Sequence, residues 1–191
     1  MKNSLSILFS SLVFLASPFG ANGQTETVPR VHRYVDSSRP VQEIQAEYPY
    51  DISMINADGD TLSSHDVFAK NGKPIVLLFW LTTCAPCRHE MKAISQKYDE
   101  WKKETDFNLY AISIDFPRNY ERFQNLVAES NWPFPAYYDM DREFRKIMPG
   151  QLNGLPQVFL LNTEGEIVHH KKKYMPGDED SLYLKIKNLV D

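Results

Sequence analysis

Cysteine is scarce in this 191-residue sequence, which contains only Cys84 and Cys87. No second C-x-x-C and no paired His-x-x-x-His accompany them, so the four ligands of a structural zinc site are not available. A disulfide across two intervening residues closes a very short loop and constrains the unfolded chain little, which disfavours a purely structural bridge. The remaining interpretation is a redox pair.

Positive charge and long apolar runs are also lacking. The net charge is −4 and the pI is near 5.7, so nothing in the composition supplies a positive face for DNA or RNA. No apolar run reaches the roughly 20 residues that a comfortable bilayer span requires. Apolar residues nevertheless make up 42% of the chain, which is enough for a folded core.

The first 23 residues have the pattern of a signal peptide. Lys2 gives a short positive region, residues 5–16 are mainly apolar, and Ala21-Asn22-Gly23 offers small residues at a cleavage site. An uncleaved anchor is the alternative. The pattern predicts an exported protein of the periplasm or cell envelope, with a flexible polar extension over 24–47 and one domain over 48–191. Gln24 rather than a cysteine comes directly after the predicted cleavage site, so the pattern does not predict a lipid anchor there.

Residues 48–191 show the alternation of an α/β domain. The apolar runs 75–80, 107–114 and 157–161 predict strands buried on both faces, with amphipathic helices after the first two. Residues 51–62 predict an N-terminal β-hairpin, and residues 157–168 predict a second hairpin before a final helix. These patterns favour a central β-sheet flanked by helices.

The two cysteines lie where the strand 75–80 is followed by a helix. Unpaired N–H groups at a helix N-terminus stabilise a thiolate, so Cys84 is the candidate nucleophile. Cys87 lies one turn later on the same face and is the candidate resolving thiol. Pro86 suits the first helical turn because its missing N–H is not required there.

The segment around the motif resembles the thioredoxin active site, and in particular that of the exported TlpA/ResA-like disulfide reductases. The resemblance implies a thioredoxin-like three-layer fold with a mixed sheet, and a cis peptide before Pro156. It assigns Leu155, Pro156 and Trp80 to substrate docking. It also implies protein disulfides or dithiols as partners, a membrane-embedded thiol as electron donor, and no metal or organic cofactor. The residues that carry it are Phe79-Trp80-Leu81-Thr82-Thr83-Cys84-Ala85-Pro86-Cys87-Arg88-His89-Glu90-Met91 and, further on, Gly154-Leu155-Pro156.

Two departures from the family pattern concern the surroundings of the cysteines. Thr83 replaces the tryptophan that is usual before the first cysteine. Leu78 stands where thioredoxin has a buried aspartate, which leaves the proton acceptor of Cys87 unassigned. Glu90 and Asp115 are the candidates for that role.

Other functions are compatible with parts of the pattern. A peroxiredoxin requires a threonine and a proline where this chain has Leu81 and Leu77. A copper chaperone on His89 and the cysteines would usually have C-x-x-x-C spacing. A binding module without turnover remains an alternative, as does an oxidase or isomerase, because the Ala-Pro dipeptide does not determine the reduction potential.

Overall fold

The computed structural model describes Tyr48 and residues 50–190, so the predicted signal peptide lies outside the described residues, as does the predicted extension. The strands are β1 (Ser53–Asn56), β2 (Thr61–Ser63), β3 (Ile75–Trp80), β4 (Asn108–Ser113), β5 (Ala136–Tyr138), β6 (Gln157–Leu161) and β7 (Ile167–Lys172). The helices are α1 (Ser64–Val67), α2 (Ala85–Glu104), α3 (Tyr120–Ser130), α4 (Phe144–Ile147) and α5 (Asp178–Lys187), with 3-10 turns at Pro117–Asn119 and Pro149–Leu152.

All seven strands belong to one mixed sheet in the order β2-β1-β5-β4-β3-β6-β7. Strand β3 pairs in parallel with β4, and β4 pairs in parallel with β5, through crossovers that contain α2 and α3. Strands β6 and β7 form an antiparallel hairpin on the other side of β3. Strand β3 is therefore central, and all six of its residues are buried.

The sheet has an apolar core on each face. On one face α2, α3 and α5 contribute Met91, Phe123 and Leu182 to a cluster that contains Trp80 and Cys87. On the other face, aromatic residues before β1 and in α4 cover a second cluster, which includes Tyr48, Tyr50, Phe79 and Phe144. Helices on both faces of a mixed sheet give the three layers that the sequence predicts.

The predicted fold class is confirmed, including the hairpin of β1 and β2. The bounds of β3 and β6 coincide with the predicted apolar runs. Strand β5 was not predicted; it has only three residues, and it is held by long-range pairing with β1 and β4. Within the described residues, no helix is both long enough and apolar enough to cross a membrane.

Candidate active site

The two cysteines form a disulfide at the start of α2, with their Cα atoms 5.3 Å apart. Cys84 is the N-cap residue, and its Sγ accepts a hydrogen bond of 3.2 Å from the backbone N–H of Cys87. Pro86 occupies the first turn, as predicted. The same N–H and the positive end of the helix dipole would stabilise a thiolate on Cys84 after reduction.

The two sulfur-bearing residues differ in exposure. Cys84 is partly exposed and is flanked by the exposed residues Thr83, Ala85 and Pro86, whereas Cys87 is completely buried in the core under α2. Of the two residues, only Cys84 is therefore exposed to solvent. This asymmetry fits the predicted roles of nucleophile and resolving thiol.

The segment before β6 reaches the same edge of the sheet. The Leu155–Pro156 peptide bond is cis, as the family resemblance implies. Gln157 pairs with Phe79, so continuing this antiparallel register by one residue places Pro156 opposite Trp80, at the end of the strand that leads to Cys84. Leu155 is half-buried and packs against the same core cluster as both cysteines.

Trp80 lies in the core rather than on a docking surface. Its side chain is completely buried and packs edge-to-face on Trp132 at 5.3 Å and against Phe123 at 6.0 Å. The substrate-docking role suggested by the resemblance therefore finds no exposed surface at Trp80. The side chain packs in the same core cluster as Cys87, at the end of the strand that leads to the active-site loop.

Asp115 anchors the loop before the cysteines through the hydrogen bonds that its carboxylate accepts. Its carboxylate accepts hydrogen bonds from the backbone N–H of Thr82 at 2.6 Å and from the Thr82 hydroxyl at 3.2 Å. The Ser113 hydroxyl and the Asn119 amide each donate a further bond at 2.9 Å. Asp115 therefore positions this loop, and its role as proton acceptor stays a prediction.

Thr82 was not singled out from the sequence, although it is completely buried in this loop. The signal that could have found it is the pair of polar residues, Thr82 and Asp115, that follow two predicted strands. Trp80 pairs with Ser113 in the parallel register, so the residues just beyond the two strand ends lie side by side. Arg88 completes the arrangement, because its Nη1 donates to the carbonyl oxygen of Thr82 at 3.1 Å. The loop is held from both sides.

Glu90 is the candidate that the structure keeps near the resolving cysteine. It follows Cys87 by three residues on α2, which puts the two on neighbouring positions of one helix face. Only 3% of Glu90 is exposed, and its Oε2 has no hydrogen-bond partner among the described residues. Burial raises the pKa of Glu90 to about 7, with Lys171 opposing the rise and Glu179 adding to it.

Comparison with known proteins agrees with this geometry. The model of the AhpC/TSA family matches residues 44–170. The thiol-disulfide oxidoreductase ResA of Bacillus thuringiensis subsp. konkukian is 27% identical over 117 residues, which cover 60% of this chain and 63% of ResA. The chain thus spans less than two thirds of that relative's length.

Solved structures extend the comparison. A thioredoxin-like protein from Porphyromonas gingivalis shares 31% identity with a TM-score of 0.63, over 74% of this chain and 90% of the other. StoA from Bacillus subtilis shares the fold, with a TM-score of 0.55 and 22% identity over 71% of this chain and 97% of StoA. The predicted resemblance to ResA-like thiol-disulfide oxidoreductases is thereby confirmed, and the chain belongs to the AhpC/TSA family with a thioredoxin-like fold.

Proposed function

We propose that this protein is an extracytoplasmic thiol-disulfide oxidoreductase that reduces disulfides of partner proteins through Cys84 and Cys87. The observation that carries the proposal is the asymmetric pair at the N-terminus of α2, with Cys84 accessible and Cys87 buried. The similarity to ResA, which carries the name thiol-disulfide oxidoreductase, supports it.

The reaction starts from the dithiol form. The Cys84 thiolate attacks one sulfur of the partner's disulfide and forms a mixed disulfide, and the other partner sulfur leaves as a thiolate and takes up a proton. Cys87 then loses its proton and attacks Cys84, which breaks the mixed disulfide and releases the second partner thiol. Two electrons and two protons pass to the partner, and the Cys84–Cys87 disulfide remains.

Glu90 is the proposed acceptor of the Cys87 proton. A buried carboxylate with a pKa near 7 is poised to take and return a proton near neutral pH. The unpartnered Oε2 leaves an acceptor site, whereas the oxygens of Asp115 are engaged by four donors. Glu90 would thus serve the role that a buried aspartate has in thioredoxin, at the position where this chain has the buried, apolar Leu78.

The docking and delivery steps belong to the same proposal. The backbone of Leu155, before cis-Pro156, would pair with an extended segment of the partner. A signal peptide over 1–23 would direct the protein to the periplasm or cell envelope. The extension over 24–47 would then precede the domain over 48–191. A membrane-embedded thiol would return electrons to the pair, since that compartment otherwise leaves it oxidised.

Trapping tests the assignment of the two cysteines. Cys87→Ala should accumulate mixed disulfides with partner proteins through Cys84, since the resolving attack is lost. Cys84→Ala is the matched control, and it should accumulate none because Cys87 is buried. Equal trapping by both variants would refute the assignment, and trapping by Cys84→Ala alone would reverse it.

Turnover and direction need separate measurements. The protein should accelerate the reduction of insulin by dithiothreitol, and absence of acceleration by protein whose Cys84–Cys87 pair is fully reduced would favour a binding module.

The equilibrium reduction potential of the pair against glutathione decides the direction of the reaction, because C-x-x-C pairs span about 150 mV, or roughly 7 kcal/mol for two electrons. A potential near that of strong oxidants would overturn the reductase assignment. Peroxide consumption instead of disulfide reduction would favour a peroxidase.

A further inference from the structure

An open groove lies between α2 and α3. One part, of about 640 Å³, runs along the outer face of α2 and is closed by the 130–133 turn. A second part, of about 410 Å³, runs along α3. Arg88 lines both parts, and it directly follows Cys87 on α2, so one end of the groove lies one residue beyond the cysteine pair along the helix. Leu126 and the half-buried Trp132 give it some apolar lining.

The end of the groove nearest the disulfide is positively charged. Arg88 and Lys92 line it from α2, and Arg118 and Arg122 line it from α3 and the turn before it. None of the four forms an ion pair with any described residue. Such a cluster is not a consequence of composition, since the whole chain carries a net charge of −4.

The acidic residues of the groove lie mostly at its other end. Asp99 follows Arg88 by eleven residues on α2, which corresponds to about 16 Å along the axis, and Glu129 lies in the last turn of α3. Only Glu121 lies among the basic residues. Strands β3 and β4 are parallel, so α2 and α3 both start at the active-site edge, and their dipoles add positive potential there.

We propose that this groove binds an acidic segment of the partner protein, next to the disulfide that Cys84 attacks. The inference rests on the proposed function and names the substrate class of that site. A carboxylate-bearing segment would pair with Arg88 and Arg122 across the groove. The positive field of the groove would speed the encounter of the two proteins. Complementary charge would select among partner disulfides more than it would change the chemical step.

Three synthetic peptides with the same internal disulfide test the proposal, with flanks of four glutamates, four serines or four lysines. At about 0.01 M ionic strength, where the Debye length is about 30 Å, kcat/KM should be about ten-fold higher for the glutamate peptide than for the serine peptide. At about 1 M salt the preference should vanish. Equal values for all three peptides at low salt, or a preference for lysine, would overturn the proposal.

The double variant Lys92→Glu, Arg122→Glu should lower kcat/KM for the glutamate peptide by about ten-fold at low salt. Lys103→Glu is the matched control, because Lys103 is exposed at the opposite end of α2, and it should leave the preference unchanged. If the double variant keeps the wild-type preference for the glutamate peptide over the serine peptide, the groove does not bind the acidic segment.

Hydroxyethyl disulfide, a small uncharged substrate, separates the two proposals. Its reduction by wild type supports the oxidoreductase assignment whatever the peptides show, and its reduction by the double variant at the wild-type rate shows that the cysteine chemistry is intact. If wild type fails to reduce it and insulin alike, the proposed function itself is refuted.

Discussion

Replacing Glu90 by Gln should stabilise the oxidised protein at alkaline pH and leave it nearly unchanged at acidic pH. Burial raises the pKa of Glu90 from 4.5 to about 7 in the folded protein. Between these values the folded state holds a proton that the unfolded state has lost, so the free energy of unfolding falls as pH rises. The effect is complete above the folded pKa and absent below the unfolded one.

The magnitude follows from the size of that shift. One pKa unit corresponds to 1.36 kcal/mol, so the rise to about 7 amounts to about 3 kcal/mol lost by the wild-type protein between pH 4 and pH 8. Glutamine does not ionise and should not show this loss. Lys171, His169 and Asp178 share the small cavity that Glu90 lines, and both proteins contain all three, so the difference between the two proteins reports on Glu90.

Urea unfolding of both proteins at pH 5 and pH 8 is the assay, with the disulfide intact. The difference between variant and wild type should grow by about 2 to 3 kcal/mol from the lower to the higher pH. Glu100→Gln removes an exposed carboxylate from the same helix and should show no such growth. A Glu90→Gln difference that is the same at both pH values would refute the buried, proton-holding carboxylate.

Two further predictions concern the stability of the fold. Asp115→Ala should lower the free energy of unfolding by about 3 kcal/mol, because buried donors, including the Thr82 N–H, lose their acceptor; Asp115→Asn should lose less, and urea unfolding would contradict the idea if the alanine variant lost under about 1 kcal/mol. Gly165→Ala should cost at least about 1 kcal/mol in the same assay, since Gly165 has φ +88° and a Cβ there would collide with the Tyr48 ring; a neutral effect would mean that this contact is loose.

Local sequence was sufficient for much of the fold. Strands β3 and β6 begin and end where their apolar runs do, because a strand buried on both faces needs apolar residues at every position. Strand β5 escaped prediction because three residues carry too little periodicity, and its pairing with β1 brings Tyr138 to Ile55, far along the chain.

The candidate site was only partly predictable. The same apolar run that located β3 also buries Trp80, and the resemblance assigned a surface role to a residue whose own pattern favoured the core. Glu90 and Asp115 were equivalent candidates in the sequence, because a carboxylate's role depends on which donors surround it. The fold surrounds Asp115 with four donors and leaves one oxygen of Glu90 without any among the described residues.

The sequence by itself determined the redox pair and its place at a strand-to-helix junction, because both depend on neighbours within about ten residues of Cys84. Only the tertiary structure decided that Cys84 is partly exposed while Cys87 is buried, that Glu90 is buried with a raised pKa, and that Pro156 lies opposite Trp80. Those properties arise from burial and from contacts between segments more than 30 residues apart, as between Thr82 and Asp115, and no local pattern encodes them.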